Sequence, residues 1–372
     1  MEIQTLTSYL KLLACDGLGV LNTRRLLDLC KNVNDVFEED CLSKFSDEEI
    51  SISTKRILLG FDRLDIVQKE IDFITASDIK CVGVLDPHYP MLLKECVDAP
   101  ILLFYKGNLN LLNQICIDVV GTRKITNYGK EVTEKFINSV SNYKPCIVSG
   151  MAYGVDVFSY QMARKFNVST VAVMGTSFKR WYPSAHKFFF NDLIDNGLVV
   201  SEYAGFNKLV PELFIRRNRV IAGLCKATVV IESAEAGGAM STAYFACDYD
   251  RDVYAIPGKI TDEFSMGCLK LIRENKAQVL YNFNDFIEDL NWNVANIETI
   301  VPNERSADFS SFSVNQQLIL RCLENYDLHI DELALQTNLD MSVLNAELMI
   351  LELDSIVKGL QGKIFRLLKK TY

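Results

Sequence analysis

Four consecutive polar residues interrupt an apolar run: LFIRRNRVIAGL, at residues 213–224, contains Arg216, Arg217, Asn218 and Arg219. Guanidinium groups bind phosphate through forked, charge-assisted hydrogen bonds. The chain as a whole is acidic, with a formal net charge of -9 at pH 7 and a pI of about 5.1. Nonspecific coating of a polyanion needs a positive field over most of the surface, so the composition argues against that class of protein. An acidic composition does not exclude a local basic crevice, and we predict that Arg217, Asn218 and Arg219 face such a crevice.

Small and polar residues also follow each strand-like run. They are Gly121-Thr122-Arg123 after ICIDVV, SGMAYG at 149–154 after CIV, Gly175-Thr176-Ser177 after TVAVM, and Ser201-Glu202 after LVV. The carboxyl ends of parallel strands meet at one crevice, where glycines and helix N-termini admit an anion. The candidate DNA- or phosphate-binding residues are Gly121, Arg123, Lys124, Ser149, Gly150, Gly154, Lys179, Arg180, Arg217, Asn218 and Arg219. A tight strand-to-helix turn is the alternative for Gly150 and Gly154.

Aromatic residues alternate with these cations. Tyr153 lies in the glycine loop, and the run Phe178-Lys179-Arg180-Trp181-Tyr182 follows the third strand. Exposed bases stack on flat rings while phosphates attract cations, so Tyr153, Phe178 and Trp181 are candidates for base stacking. A free nucleotide could use the same groups, and burial in the core is the alternative for each ring.

No catalytic or metal-binding constellation is recognisable. The eleven cysteines form no CxxC pair, and His88, His186 and His329 are scattered. The carboxylates of Asp156, Glu202 and Glu232 could orient arginines as easily as abstract protons. We therefore predict a protein without enzymatic activity, metal or cofactor.

The pattern of the chain predicts three domains and a linker. Residues 1–80 are helical in type, and the Gly-x-Gly break at residues 17–19 gives them the outline of a SAM-like or helix-hairpin-helix module. Its turn could hold a phosphate near Arg24 and Arg25, or could serve only packing. From 81 to 290, short β-branched runs alternate with amphipathic segments. This alternation predicts an extended Rossmann-like α/β fold, a doubly wound and mostly parallel sheet. The segment YPMLLKECVDAPILLFYKGNL is predicted to form an extra hairpin or extension before it.

Residues 291–312 are polar and without periodicity, which indicates a linker. Residues 313–372 are predicted to form a winged helix, with helices at 315–324, 331–337 and 342–353 and two strands around Gln361-Gly362. The third helix carries acidic residues and no Lys or Arg, so we expect it to bind protein or to pack. Any weak DNA contact would come from Lys363, Arg366, Lys369 and Lys370. The absence of a leader or a long apolar run predicts a cytoplasmic protein with no membrane contact.

A series of ordered motifs resembles those of the DprA (DNA processing protein A, also called Smf) family. The motifs are GTRKITNYG, SGMAYGVD, GTSFKRWYP, SEYAGF, FIRRNRVIAGL, VVIESAEAGGAMSTAYFA and AIPGKI followed by SMGCLKLI, spread from about Tyr89 to Ala277. The resemblance implies an extended Rossmann domain that binds single-stranded DNA and dimerises. It also implies that the protein protects incoming DNA in natural transformation and loads the RecA recombinase.

The resemblance carries several residues over. It implies that Arg123, Ser149, Gly150, Gly154, Lys179 and the segment 217–219 line the DNA groove. The surface around Ser265, Met266, Leu269 and Ile272 would lie near the dimer and recombinase contacts. Two departures from the family pattern occur: Ser159-Tyr160 replaces an Ala-His pair, and GGAMSTA at 237–243 replaces SGS-L-TA.

Two other functions stay open. One is a nucleotide-acting enzyme of the phosphoribohydrolase type, although the chain lacks that class's PGG-x-GT-x-x-E loop. The other is a transcription regulator that acts through the winged helix.

Overall fold

The computed structural model describes residues 1–205, 210–290, 292, 312–323, 328–337, 339–354, 356–360 and 363–368. The chain divides into two compact units, Met1–Val294 and Ala295–Tyr372. Apart from Trp292 and Phe312, the predicted linker lies outside the described residues, as do Lys369, Lys370 and the predicted turn at 361–362.

Amphipathic helices form the N-terminal part of the first unit. They are α1 (Ile3–Ala14), α2 (Val20–Cys30), α3 (Glu39–Leu42), α4 (Ile52–Leu59) and α5 (Leu64–Ala76). Gly17 takes a φ of 82° in the turn between α1 and α2. Arg24 donates hydrogen bonds to the carbonyls of Lys94 (3.0 Å) and Cys96 (3.5 Å), and Arg25 donates to that of Glu48 (3.1 Å). These contacts support the packing interpretation of the hairpin.

One large sheet dominates the first unit. Its strands are β1 (Lys80–Gly83), β2 (Leu102–Gly107), β3 (Cys116–Val120), β4 (Cys146–Ser149), β5 (Ser169–Met174), β6 (Leu198–Ser201), β7 (Ala227–Val230), β8 (Asp252–Ala255) and β9 (Gln278–Val279). Within the described residues the order is β1-β2-β6-β5-β4-β3-β7-β8-β9. The pairs β1–β2 and β2–β6 are antiparallel, and β3 to β9 run parallel. The predicted doubly wound, mostly parallel sheet is confirmed. The segment 89–109, predicted as an extra hairpin or extension, contains a short helix (Met91–Glu95) and β2, and β2 pairs with β1, which precedes that segment.

Helices cover both faces of this sheet. They are α6 (Met91–Glu95), α7 (Asn127–Ser141), α8 (Val155–Lys165), α9 (Lys187–Asn196), α10 (Glu212–Leu224), α11 (Gly238–Asp248), α12 (Met266–Arg273) and α13 (Phe283–Asp289). Side chains alternate along β3, because Cys116 and Val120 join one core while Ile117 and Val119 join the other. The first of these cores also includes the N-terminal helices. The boundary at residue 80 stays a prediction. None of the helices in the described ranges is long and apolar enough to cross a membrane.

Asp118 is an exception in the middle of β3. Its side chain is fully buried, and within the described chain neither carboxylate oxygen has a hydrogen-bond partner. Burial disfavours the charged form and raises the pKa of Asp118 to about 8. The carboxyl is therefore largely protonated at neutral pH.

The second unit has the predicted winged-helix order. It contains α14 (Val314–Cys322), β10 (Leu328–His329), α15 (Ile330–Thr337), α16 (Met341–Leu353), β11 (Val357–Leu360) and β12 (Ile364–Leu367), with a sheet in the order β10-β12-β11. Ile319, Leu333, Leu344 and Leu348 form its core. Met349 and Leu353 on α16 are exposed, as is Glu352. The short strand β10 was not predicted.

Candidate functional site

A cavity of about 740 Å³ opens at the carboxyl ends of the parallel strands. It lies at the topological switch point, because β3 leads through α7 to β4 on one side while α10 leads to β7 on the other. We call this cavity the crevice. Its lining comes from the loop after β3, the loop after β4, α10 and the start of α11: Val120, Gly121, Thr122, Arg123, Ala152, Asp156, Tyr182, Val210, Pro211, Phe214, Ile215, Arg217, Asn218, Ile221, Ala234, Gly237, Gly238, Ala239, Ser241 and Thr242.

Arg217 forms part of the floor of the crevice. Only 7% of the residue is exposed, and its Nη1 donates to the carbonyls of Gly150 (2.8 Å) and Val173 (2.6 Å). No carboxylate of the described residues lies within ion-pair distance of this guanidinium. Burial lowers the pKa of Arg217 to about 10, opposed by the charge of Asp156, so the group is cationic at neutral pH. Its direct hydrogen-bond partners are neutral, because Nε also donates to the side-chain oxygen of Asn218 (3.1 Å).

The glycine loop after β4 is shaped around this guanidinium. A Cβ atom on Gly150 would lie 2.3 Å from Cζ of Arg217, so a larger residue would displace the arginine. Gly154 has a φ of 79°, and a Cβ there would lie 2.2 Å from the carbonyl oxygen of Thr122. Both glycines are therefore required by close approach, as well as by the turn into α8.

Asp156 supports the same loop from the first turn of α8. Its Oδ2 accepts hydrogen bonds from the backbone amides of Gly150 (3.2 Å) and Ala152 (3.3 Å). Burial raises the pKa of Asp156, and the positive charge of Arg217 opposes this shift. The carboxylate thus positions the loop and faces the guanidinium, which agrees with an orienting role.

Arg123 and Asn218 reach the crevice from opposite walls. Arg123 is exposed and lines the crevice, and it forms no ion pair with any described residue. Asn218 donates to the hydroxyl of Ser241 (2.8 Å) and to the carbonyl of Gly238 (3.3 Å), at the start of α11. Lys124 is exposed beside Arg123 but lies outside the lining. Gly238 and Ala239, in the first turn of α11, line the crevice, and this helix has no side-chain cap.

The prediction that Arg219 faces the crevice is wrong. Its guanidinium, with 5% of the residue exposed, donates to the carboxylate of Glu202 and the backbone carbonyl of Asp98, and the carboxylate of Asp98 lies 3.8 Å away. Burial lowers the pKa of Arg219, but Glu202 and Asp98 outweigh burial and leave the pKa raised. The physical reason is helical geometry: side chains two positions apart point to nearly opposite sides of a helix.

Glu232 connects the two halves of the sheet at the crevice. It follows β7, is buried, and its carboxylate accepts hydrogen bonds from both the amide (3.0 Å) and the hydroxyl of Thr126. Its backbone carbonyl accepts from the amide of Thr122 (2.7 Å). The loop after β3 is therefore tied to the end of β7 by three hydrogen bonds.

The three stacking candidates have different surroundings. Phe178 belongs to the hydrophobic core and is only 5% exposed, so the prediction that it offers a face to a base is wrong. Trp181 is half-buried against Phe178 and Phe190, with ring centroids 5.8 and 4.9 Å away. Tyr153 is 47% exposed and lines a small cavity that shares Arg123 and Arg217 with the crevice.

Other predicted residues lie outside the lining. Lys179 and Arg180 are exposed in the loop after β5, and Ser149 is buried where its hydroxyl accepts from the amide of Met151 (3.4 Å). On α12 and the turn before it, Met266 is exposed while Leu269 and Ile272 are half-buried. Ser265 is buried, so the prediction that it forms part of a surface is wrong. DNA binding by the residues of the crevice stays a prediction.

Residues not predicted as site residues complete the walls of the crevice. Phe214 and Ile221 lie on the face of α10 that carries Arg217 and Asn218, which is the i, i+3, i+4, i+7 spacing. Tyr182 packs against Phe214 with ring centroids 5.1 Å apart. That spacing in the sequence was the signal that could have identified the crevice side of α10.

Among the described residues, no group of three or more His, Cys, Asp or Glu side chains is arranged to hold a metal ion. The crevice instead combines a buried cation, an exposed cation, backbone amides at the start of α11, and apolar walls. This combination suits a ligand with both phosphate and a flat apolar part.

Comparison with known proteins agrees with this class of site. The model of the DNA recombination-mediator protein A family matches residues 80–291, and that of the DprA winged helix domain matches residues 311–363. DNA processing protein DprA of Streptococcus pneumoniae is 41% identical over 197 residues, which are 53% of this chain and 70% of the relative.

Two solved structures are similar in fold. The X-ray structure of DprA from Streptococcus pneumoniae has a TM-score of 0.65 and 32% identity, over 78% of this chain and 99% of that chain. A structure of DNA processing protein A from Helicobacter pylori, described for its single-stranded DNA binding mode, has a TM-score of 0.52 and 25% identity, over 57% of this chain and 95% of that chain.

Fold and crevice together define a Rossmann-like protein with a winged-helix domain, of the class that processes DNA in recombination. More specifically, the chain belongs to the DNA recombination-mediator protein A family, since that family's model covers more than half of its residues.

Proposed function

We propose that this protein binds single-stranded DNA in the crevice and delivers the strand to a recombinase of the RecA type. The observation that carries the proposal is Arg217, a buried cation held by the carbonyls of Gly150 and Val173 and not by a carboxylate of the described chain. Asp156 acts on this charge only from beyond ion-pair distance, so the guanidinium can still attract a phosphate. The exposed Arg123 beside it provides a second phosphate contact.

The apolar walls support a single strand over a duplex. Phe214 lines the crevice beside the cations, together with Tyr182 and Ile215, which are 40% and 56% exposed. A duplex keeps its bases stacked and presents only edges and phosphates, whereas a single strand can place bases against apolar surfaces. The Helicobacter pylori relative is described as binding single-stranded DNA, which agrees with the proposal.

Delivery to a recombinase and a role in natural transformation rest on the family to which the chain belongs. Self-association through the face that carries Met266, Leu269 and Ile272 also stays a prediction. The proposed role is one of binding, with no chemical step.

A titration of a labelled single strand tests the proposal. Fluorescence anisotropy with oligo-dT of about 20 nucleotides, longer than one binding module occupies, should show tight binding that weakens with salt. Arg123→Glu should weaken binding at least about tenfold and lower the slope of log K against log salt by about 0.7 for a lost phosphate contact. A fold check by circular dichroism should show no change, because Arg123 is exposed.

Lys144→Glu is the matched control. Lys144 is also exposed, but it precedes β4 and so lies at the amino edge of the sheet, opposite the crevice. Its charge reversal should leave affinity unchanged. Equal affinity of the wild type for duplex and single strand, or equal losses in both variants, would refute the proposed site. Recombinase filament formation on a strand coated with single-strand-binding protein, with and without this protein, tests the delivery step.

A further inference from the structure

A row of aromatic rings leads away from the crevice. Tyr182 contacts Phe214 in the crevice wall, and it shares the small adjoining cavity with Tyr153. Tyr153 in turn packs edge-on against His186, with ring centroids 4.8 Å apart. The exposed fractions of Tyr182 and Tyr153 are 40% and 47%, so each offers a ring surface to solvent at the mouth of the crevice.

The row continues to Phe188 in the first turn of α9. Ring centroids are 5.8 Å apart between His186 and Phe189, and 6.1 Å apart between Phe189 and Phe188. Phe188 is 76% exposed. His186 is buried, with Nδ1 2.8 Å from the carbonyl oxygen of Met151 in the glycine loop. This contact ties the segment that carries Phe188 to the loop that shapes the crevice.

The same segment is basic. Residues 178–191, FKRWYPSAHKFFFN, contain Lys179, Arg180 and Lys187 and no acidic residue. All three cations are exposed, and Lys187 directly precedes Phe188. In a chain with a net charge of -9, a local excess of cations among exposed rings is the composition that binds single-stranded nucleic acid.

We propose that the strand leaves the crevice over Tyr182 and Tyr153 and that a base stacks on Phe188 at the outer end of the row. The inference rests on the proposed function and extends it, because it assigns Tyr182 and Phe188 as stacking residues and gives the strand a direction across the surface. Bases stack on ring faces whatever their sequence, so the row binds without sequence preference. It also favours single strands, since a duplex has no unstacked base to offer.

A length series of oligo-dT with Phe188→Leu tests the row. Leucine keeps an apolar side chain and removes the ring. In the wild type, affinity should rise between short strands of about 4 nucleotides and longer strands of about 12, which span the range of single binding modules. In Phe188→Leu this gain should shrink at least about fivefold, the lower end of the loss expected for one stacked base. Tyr182→Leu, at the crevice itself, should weaken binding of both lengths.

Tyr281→Leu is the control, because Tyr281 is equally exposed (78%) but follows β9 at the far edge of the sheet. It should keep the wild-type gain with length. An unchanged gain in Phe188→Leu, with normal binding by the wild type, overturns the inference and leaves the proposed function standing. A wild type that binds no strand of any length overturns the proposed function itself. If Phe188→Leu instead changes the sedimentation coefficient of the free protein, the exposed ring serves self-association and the inference is wrong.

Discussion

The two sides of α10 hold equally buried arginines in opposite ways. On one side, Arg219 is surrounded by the carboxylates of Glu202 and Asp98. On the other side, Arg217 meets the backbone carbonyls of Gly150 and Val173 and has no ion pair among the described residues. The first charge is neutralised by direct ion pairs inside the fold, whereas the second is held by neutral hydrogen-bond acceptors, with Asp156 beyond ion-pair distance. Two arginines only two positions apart in one motif can therefore serve different purposes: Arg219 stabilises the fold, and the proposed function assigns Arg217 to ligand binding.

Removing Arg219 should have the largest effect on stability. Arg219→Leu leaves the buried carboxylate of Glu202 without its partner, and loss of one member of a buried pair costs about 3–5 kcal/mol of unfolding free energy. Urea unfolding measures this loss. The folded protein should keep its affinity for oligo-dT, because Arg219 lies outside the crevice lining.

Two variants sharpen this prediction. Arg219→Leu combined with Glu202→Leu should recover part of the loss, since no unpaired Glu202 charge is then buried. Lys135→Leu breaks an exposed pair with Glu131 and should cost no more than about 1 kcal/mol. If Arg219→Leu abolished DNA binding without lowering stability, the proposed division between the two sides would be wrong.

Replacing Arg217 should affect both the stability of the protein and its affinity for single-stranded DNA. Arg217→Met leaves the carbonyls of Gly150 and Val173 without this donor, which should lower the unfolding free energy by about 1–3 kcal/mol. It should also weaken oligo-dT binding and reduce the salt slope by about 0.7, because the crevice loses its buried cation. Thermal unfolding and anisotropy at several salt concentrations measure the two effects. Wild-type affinity and salt slope in the folded Arg217→Met variant would remove the main support for the crevice as the DNA site.

Asp118 is a buried carboxyl with no hydrogen-bond partner in the described chain. Its contribution to the free energy of unfolding depends on pH. Its pKa is about 8 in the folded protein and about 3.9 in an unfolded chain. Between these values the folded state binds more protons. Stability is therefore fully present below about pH 4 and falls by up to about 1.4 kcal/mol per pH unit as the pH rises toward 8. Asp118→Asn should flatten this decline in urea unfolding curves, and the exposed Asp62→Asn should not. If stability declined with the same steepness in Asp118→Asn, other groups would be responsible for the pH dependence.

The architecture could be predicted from the sequence because its signals are local. Strand-like runs with small residues at their carboxyl ends, such as Gly121 after β3 and Gly150 after β4, indicate both the sheet and the position of the crevice. The helices of the winged helix were also predicted close to their observed bounds, since their apolar residues follow the helical period.

The burial and pairing of individual side chains could not be predicted, because they depend on partners that are distant in the chain. Arg219 is neutralised by Glu202 and Asp98, which come from separate loops. Phe178 is buried in a core built from other elements, although its neighbours Lys179 and Arg180 are exposed. The helical period places Arg217 and Arg219 on opposite sides of α10, but only the packed structure shows which side faces the crevice.

Three hydrogen bonds join Glu232 at the end of β7 to the loop after β3, which lines the crevice. These bonds join the two halves of the sheet at the crevice. A ligand therefore does not have to order the two walls when it binds. Under the proposed function, a strand that enters the crevice meets a preorganised site, and little conformational entropy of the protein is lost on binding. The rate of association is then expected to depend on diffusion and charge, which favours rapid capture of the strand.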